Sequence, residues 1–275
     1  YNKTIFEESG LTEAPVTWDE FRAAGQKTTK KDPSPTKTRY GLIFDATGPW
    51  MMFTWLPFLW SAGGDLLDQD GRAAFDTPAA ADAVELWANL FQDGCVPRSS
   101  VLGGADLWQL FANQTAAMAV QGPSIQTAVD KYGPGTVLGN GLIPKKLEHS
   151  SYLGGDALVI MKDSKNKQAA WEFIVALNSQ SNQQRFSANN NGVYVAGIPT
   201  RKSVFTDGFR KEYPLMAVFA DAMSVGRVPG TRYLSEIRVP LWNAAQQVFL
   251  NRADISTQLK DANRKANEII SKWSD

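Results

Sequence analysis

The sequence is poor in the residues on which most catalytic and metal chemistry depends: it has one cysteine, Cys95, and one histidine, His149. A single cysteine excludes an internal disulfide and any multi-cysteine metal site, and its setting D-G-C-V-P, a turn after a helix, suits a small packing residue. A single histidine excludes histidine pairs at zinc, and it leaves a Ser-His-Asp arrangement dependent on a residue in the polar stretch K-K-L-E-H-S-S. His149 is therefore expected to be an exposed loop residue. No apolar run is long enough to cross a bilayer. Neither a secretion signal nor a lipidation motif is present at Tyr1. Net charge is also lacking: 28 basic residues balance 28 acidic ones, so there is no electrostatic footprint for nucleic acid. No phosphate-cradling or nucleophile motif occurs, and no cofactor is implied.

What the chain does have is tryptophan, nine in all, of which Trp50, Trp55 and Trp60 fall within one stretch of eleven residues. A tryptophan presents a flat apolar face with one N–H at its edge, which suits either a core or the C–H face of a sugar ring. Gly48-Pro49 marks a helix start, with Pro49 at its first position. A spacing of five turns a helix by about 140°, so the three rings cannot form one wall. Trp50, at the helix entrance, is the one expected to face a ligand, and Trp55 and Trp60 are expected to pack. Pro57 should kink or end this helix.

Elsewhere the pattern is mixed α/β. The stretch from Thr4 to Gly10 reads as a helix, and Thr17 with Glu20 forms a capping box for the next. The segment from Lys30 to Arg39, with Pro33 and Pro35, is a loop, and Tyr40 to Phe44 a short strand. Asp68-Gln69-Asp70-Gly71 opens like a calcium loop but has Leu66 and Thr77 where acids are needed, so it is read as a tight turn. Thr77-Pro78 starts a helix that buries Trp87 and stops at Gly94. A helix through Trp108 to Ala112 leads into a strand over residues 116–121, and Ser124 opens another helix after Gly122-Pro123. Val137 to Pro144 reads as strand and turn, and Tyr152 to Met161 as a buried strand. Within that strand Gly154 and Gly155 suggest close approach of a ligand or another backbone, and the acid beside them, Asp156, would be costly to bury unsatisfied, making it the leading polar contact. Helices follow over residues 166–178 and 181–188, then a turn at 189–192, then helices over 241–250 and 255–273.

Y-N-K-T-I-F-E-E-S-G-L at residues 1–11, V-T-W-D-E-F at 16–21, F-L-W-S-A-G-G-D-L-L-D at 58–68, F-A-N-Q-T-A-A-M-A-V-Q-G-P at 111–123 and S-Y-L-G-G-D-A-L-V-I at 151–160 together resemble the extracellular solute-binding proteins of carbohydrate ABC importers. The resemblance implies a type II periplasmic-binding-protein-like α/β fold: two lobes, a ligand cleft and a hinge. It further implies that about 100 residues, most of the first half of the N-terminal lobe, are absent. Residues 1–149 and 209–275 would form the second lobe and 150–208 the returning part of the first, which would lack its sheet partners. The implied role is non-enzymatic: a monomer that captures a sugar, oligosaccharide or polyol derivative and delivers it to membrane permease subunits, extracytoplasmically, in the periplasm or as a cell-surface lipoprotein. Carried over residue by residue, the ligand set is Trp50, Asp45, Tyr152, Gly154, Gly155, Asp156, Trp242 and Arg232. Trp242 matches a stacking aromatic, and Arg232 the arginine that phosphate-binding relatives aim at their ligand. Where many relatives follow the G-P of Gly122-Pro123 with tryptophan, this chain has Ser124, so the cleft is expected to be more polar or roomier. Two rivals stand beside this reading: a carbohydrate hydrolase with paired carboxylates among Asp45, Asp65 and Asp156, and a docking module that exposes its tryptophans.

Overall fold

The computed structural model describes residues 1–34, 37–104, 106–187 and 198–273. The expected turn at residues 189–192 lies outside them. The main unit opens with α1 (Lys3–Glu8), α2 (Trp18–Thr28) and β1 (Tyr40–Ile43), followed by α3 (Met51–Ser61), α4 (Pro78–Gln92), α5 (Ser99–Leu102) and α6 (Leu107–Ala112). It continues through β2 (Ala116–Ala119), α7 (Ile125–Tyr132) and β3 (Ser151–Tyr152). A second segment carries α8 (Lys167–Leu177), α9 (Gln180–Ser187), α10 (Asp207–Glu212) and α11 (Pro214–Ala222). The chain then re-enters the main unit through β4 (Gly226–Arg227), α12 (Leu234–Asn251) and α13 (Ile255–Ser271).

Local chemistry explains where several of these elements begin. The Thr17 side chain accepts from the Glu20 amide while Glu20 reaches back to the Thr17 amide, the full capping box. Thr77 caps α4, with Pro78 in its first turn, and Gly94 follows its end at φ +73°. Asp68 Oδ1 accepts from the amides of Asp70 and Arg72, closing the expected tight turn with Gly71 at φ +76°.

β1 and β2 are parallel, Leu42 opposite Met118 and Ile43 opposite Ala119, with α2 and α6 packed against the pair. The core beside them is aromatic. Trp55, Trp60 and Trp87 are fully buried, and the Trp87 ring lies 3.6 Å from Phe44, 5.5 Å from Phe58 and 6.2 Å from Phe249, centroid to centroid. Trp55 and Trp60 are packing residues as expected, and Trp50 is 58% exposed.

Five expectations need correction. α3 does not end at Pro57 but continues to Ser61. A proline inside a helix costs about 3 kcal/mol, and burial of Trp55, Leu56, Phe58, Leu59 and Trp60 around it, at roughly 1.5–3 kcal/mol for each large side chain, outweighs that loss. α12 begins at Leu234 and runs through Pro240 instead of starting at Leu241. Residues 137–144 form no strand, contributing only the Asn2–Leu138 bridge. His149 is half-buried, its Nδ1 2.9 Å from the Ile143 carbonyl. The strand expected over Tyr152 to Met161 shrinks to Ser151–Tyr152, and Leu158, Val159 and Met161 are exposed. Its physical cause is pairing: β3 finds only β4, Ser151 opposite Gly226 and Tyr152 opposite Arg227, and a strand with no neighbour beyond two residues has nothing to bury it. α8 likewise has no buried residue, with Trp171 and Phe173 exposed.

Because Trp87 joins the end of β1 to α3 and α12, Trp87→Ala should lower the unfolding free energy by about 3–5 kcal/mol in urea denaturation. A loss below about 1 kcal/mol would show that the cavity collapses without cost.

Candidate functional site

Parallel strands deliver their carboxyl ends to one edge, and in open α/β architectures ligands bind in the crevice outside that edge. Here the edge consists of the segment after β1, from Phe44 to Trp50, and the segment after β2, from Val120 to Ser124, held together by the Val120 amide donating to the Ile43 carbonyl at 3.1 Å. The first segment is fixed from several sides. The Ala46 amide donates to the Ser100 carbonyl and the Thr54 hydroxyl to the Asp45 carbonyl, both at 2.8 Å. From α12, Trp242 Nε1 donates to the Ala46 carbonyl at 2.8 Å. Asp45 Oδ1 accepts from the Thr47 amide at 2.9 Å and from its hydroxyl. Gly48 sits at φ +50°, a left-handed conformation that favours glycine, and turns the chain into the 3-10 turn Gly48–Trp50 and then α3.

An aromatic strip leads away from this edge. Trp50 lies 5.5 Å from Phe53, which meets Tyr152 edge-on at 4.7 Å. Tyr152 stacks on Trp60 at 6.3 Å, and the Arg227 guanidinium lies 5.3 Å from the Trp60 ring centre. Asp65 locks that far end, accepting from Trp60 Nε1 at 3.0 Å and from Arg227 at 2.6 Å. Burial pushes the Tyr152 phenol above its ordinary value, and the nearby Arg238 charge partly offsets the rise. Beside the strip is a hollow of about 270 Å³, lined by Phe53, Gln121, Asn140, Tyr152, Gly154 and Phe219 among others.

The structure therefore brings Trp50 and Tyr152 into one strip through Phe53, and Gly154 into the hollow next to it. Asp45 and Trp242 meet at the loop that carries Trp50. Asp45 is occupied with Thr47 and the Trp242 N–H with Ala46, so both shape the edge, and the half-buried Trp242 ring remains partly open. Gly155 and Asp156 are exposed and do not line the hollow. A Cβ on Gly154 would stand 2.8 Å from the Tyr152 ring, and one on Gly155 would meet nothing, so neither glycine is approached by another backbone. Arg232 donates to the Tyr233 hydroxyl at 2.7 Å and the Trp273 carbonyl at 3.1 Å. Three contributors went unnoticed in the sequence. Phe53, three residues after Trp50, was detectable from helical spacing. Gln121 and Asn140 stand in loops and carried no signal. Among the described residues no cluster of histidine, cysteine or acidic side chains could hold a metal.

A parallel-strand edge with an aromatic strip beside it is the kind of place where open α/β proteins bind small molecules. Comparison with known proteins names the family: residues 1–184 match the profile of the bacterial extracellular solute-binding proteins, and the chain belongs to that family. It is 25% identical over 275 residues to a putative binding protein of Brucella abortus (strain 2308), a match covering 99% of this chain and 65% of that protein, so the chain spans about two-thirds of its relative's length. Among solved structures it is similar to an ABC-transporter solute-binding protein of Thermotoga lettingae bound with α-D-tagatose, with TM-score 0.82, 27% identity and coverage of 98% of this chain and 69% of that one. Maltose-bound MalE3 of T. maritima superposes with TM-score 0.83 at 22% identity, over 98% and 69% of the two chains. The fold is thus that of the periplasmic binding proteins, as the sequence resemblance implied.

Trp242→Phe keeps a ring and deletes the N–H that holds Ala46. It should cost about 0.5–1.5 kcal/mol in chemical denaturation, while Trp50→Ala, at an exposed position, should stay within about 0.5 kcal/mol. Equal losses at the two sites would mean that the Trp242 hydrogen bond does not hold the loop.

Proposed function

We propose that the protein is a non-enzymatic, extracytoplasmic solute-binding component of an ABC importer, which takes up a sugar, oligosaccharide or polyol derivative and hands it to membrane permease subunits. The observation that carries this reading is the Trp50–Phe53–Tyr152 strip at the carboxyl edge of β1 and β2, in a chain of the solute-binding family. Aromatic faces pack against the C–H surfaces of a sugar ring, and Gln121 and Asn140 beside them are donors and acceptors for hydroxyls. Tyr152 and Gly154 would contact the solute directly, and Asp45 and Trp242 would hold the loop that presents Trp50. Asp156 and Arg232 would reach a ligand only after rearrangement. A hydrolase is disfavoured because Asp45 and Asp65 are already occupied by Thr47 and by Trp60 and Arg227.

In this reading the two lobes meet at β3 and β4. The first crossing would fall at Ser151, beside the boundary after residue 149 that the resemblance implies. The pairing of Ser151 with Gly226 favours a return crossing at Gly226 over one at residue 209. The exposed apolar side chains Val159, Met161, Trp171 and Phe173 are surface that the rest of a first lobe would cover. Ligand held between two lobes favours the closed arrangement by its differential affinity, which lets a permease distinguish loaded from empty protein.

The test is a thermal-shift series on the full-length gene product with mono-, di- and trisaccharides and polyols, read also by tryptophan fluorescence. One narrow group of solutes should raise the melting temperature, since ligand at a hundred times its Kd stabilises by about 2.7 kcal/mol. Absence of a shift with every member would overturn the carbohydrate reading.

A further inference from the structure

The irregular stretch 139–145 is tied at both ends and unbonded in the middle. At its start the Gly139 amide donates to the Tyr1 carbonyl at 2.9 Å, and at its end the Lys145 amide donates to the Val16 carbonyl at 2.8 Å. Trp18 Nε1 also donates to the Pro144 carbonyl at 3.1 Å. Between these ties the backbone amides of Asn140, Gly141 and Leu142 have no hydrogen bond among the described residues. Asn140 is half-buried and Gly141 exposed. Asn140 Nδ2 donates to the Leu215 carbonyl at 3.1 Å, joining the main unit to α11. The same residue lines the hollow beside the aromatic strip and a second one, of about 510 Å³, between α7 and α11.

The pair Asn140-Gly141 has a chemistry of its own. The side-chain carbonyl carbon of an asparagine is an electrophile, and the amide nitrogen of the next residue can close a five-membered ring on it. A following glycine favours this, because no Cβ obstructs the approach and the backbone is free to adopt the conformation that ring closure needs. An amide without a hydrogen bond gives up nothing when it attacks. Both conditions hold at Gly141. The glycine is also required by packing, since a Cβ there would stand 2.4 Å from the Ala14 Cβ. The contact with Ala14 thus demands the residue that makes Asn140 reactive.

We propose that Asn140 is a site of spontaneous deamidation, and that the reaction severs the bond between the main unit and α11. The Gly141 nitrogen loses its proton to solvent base and bonds to Asn140 Cγ. The Cγ–Nδ2 bond breaks, and the departing nitrogen takes up a proton and leaves as ammonia. Water then opens the cyclic imide at either carbonyl, giving aspartate or isoaspartate, and no oxidant or cofactor takes part. Either product puts a carboxylate, an acceptor only, where the NH2 donor stood, so the bond to the Leu215 carbonyl is lost and replaced by repulsion. Release of ammonia requires Nδ2 to part from Leu215, so docked α11 protects Asn140 and each undocking exposes it. None of this depends on the solute-binding reading.

Peptide mapping by mass spectrometry tests the proposal on the full-length gene product, held in mildly alkaline buffer for increasing times with and without urea. In the native protein Asn140 should convert ahead of Asn89, Asn113 and Asn251, none of which precedes a glycine, and faster as pH rises. Enzymatic methylation should detect isoaspartate at that position. In urea, with α11 undocked, its rate should rise towards that of Asn191-Gly192, the other Asn-Gly pair in the sequence. Asn140→Asp, which carries one of the two products, should lower the melting temperature by about 2–4 °C, the shift expected when one modest interaction is lost from a chain of this size. The double variant Ala14→Gly with Gly141→Ala moves the methyl group across the contact and should remove the fast conversion, with a circular-dichroism melt to check that it folds. Conversion of Asn140 no faster than that of Asn113 in the native protein would overturn the modification site. An unchanged melting temperature in Asn140→Asp would overturn the loss of the α11 contact.

Discussion

The carboxyl edge of β1 and β2 depends on one buried contact, the packing of the Trp87 ring against Phe44, Phe58 and Phe249. Phe44 is the last residue before the loop that carries Asp45, Ala46 and Trp50. Phe58 lies on α3, which follows the turn that carries Trp50 and holds Phe53 near its start, and Phe249 lies on α12, which supplies Trp242. Through one indole, the three elements that build the edge are held in fixed relation. An aromatic core of this kind suits the task, because large rigid rings in close packing leave few alternative arrangements. The hydrogen bond from Trp242 to Ala46 then refines what the core has already aligned.

Much of the main unit was legible in the sequence wherever the signal was local. The capping box at Thr17 and Glu20, the Thr77-Pro78 start of α4, the turn at Asp68 and the burial of Trp55, Trp60 and Trp87 each depend on residues within a few positions of one another. The separation of Trp50 from the other two tryptophans also followed from helical geometry alone. The family resemblance, carried by motifs spread from residue 1 to 160, supplied the fold that periodicity could only call mixed α/β.

What was not legible came from distance or competition. β3 pairs with β4 across about seventy intervening residues, and no local pattern announces a partner that far away. Pro57 read as a kink or stop and the later helix as starting at Leu241, yet Pro57 and Pro240 both lie inside helices because burial on either side outweighs one missing hydrogen bond. Arg232 drew attention through motif similarity alone, and its guanidinium is bonded to the Tyr233 hydroxyl and the Trp273 carbonyl. Asp156 was chosen for the expense of burying a carboxylate, and the segment that bears it is exposed.

The short β3–β4 pair has a mechanical meaning. The chain between Tyr152 and Gly226 leaves and rejoins the main unit through two adjacent backbones, bonded side by side, with the Leu153 amide also donating to the Arg227 carbonyl at 2.9 Å. Two tethers fixed next to each other resist twisting and sliding but offer little resistance to bending across them, as a door held by two closely set pins swings about a single axis. Because Arg227 is clamped to Asp65 on the main unit, that axis is anchored to the same body that carries the aromatic strip. In the proposed solute-binding reading, a swing about that axis would also have to part α11 from the main unit, where Asn140 Nδ2 donates to the Leu215 carbonyl at 3.1 Å.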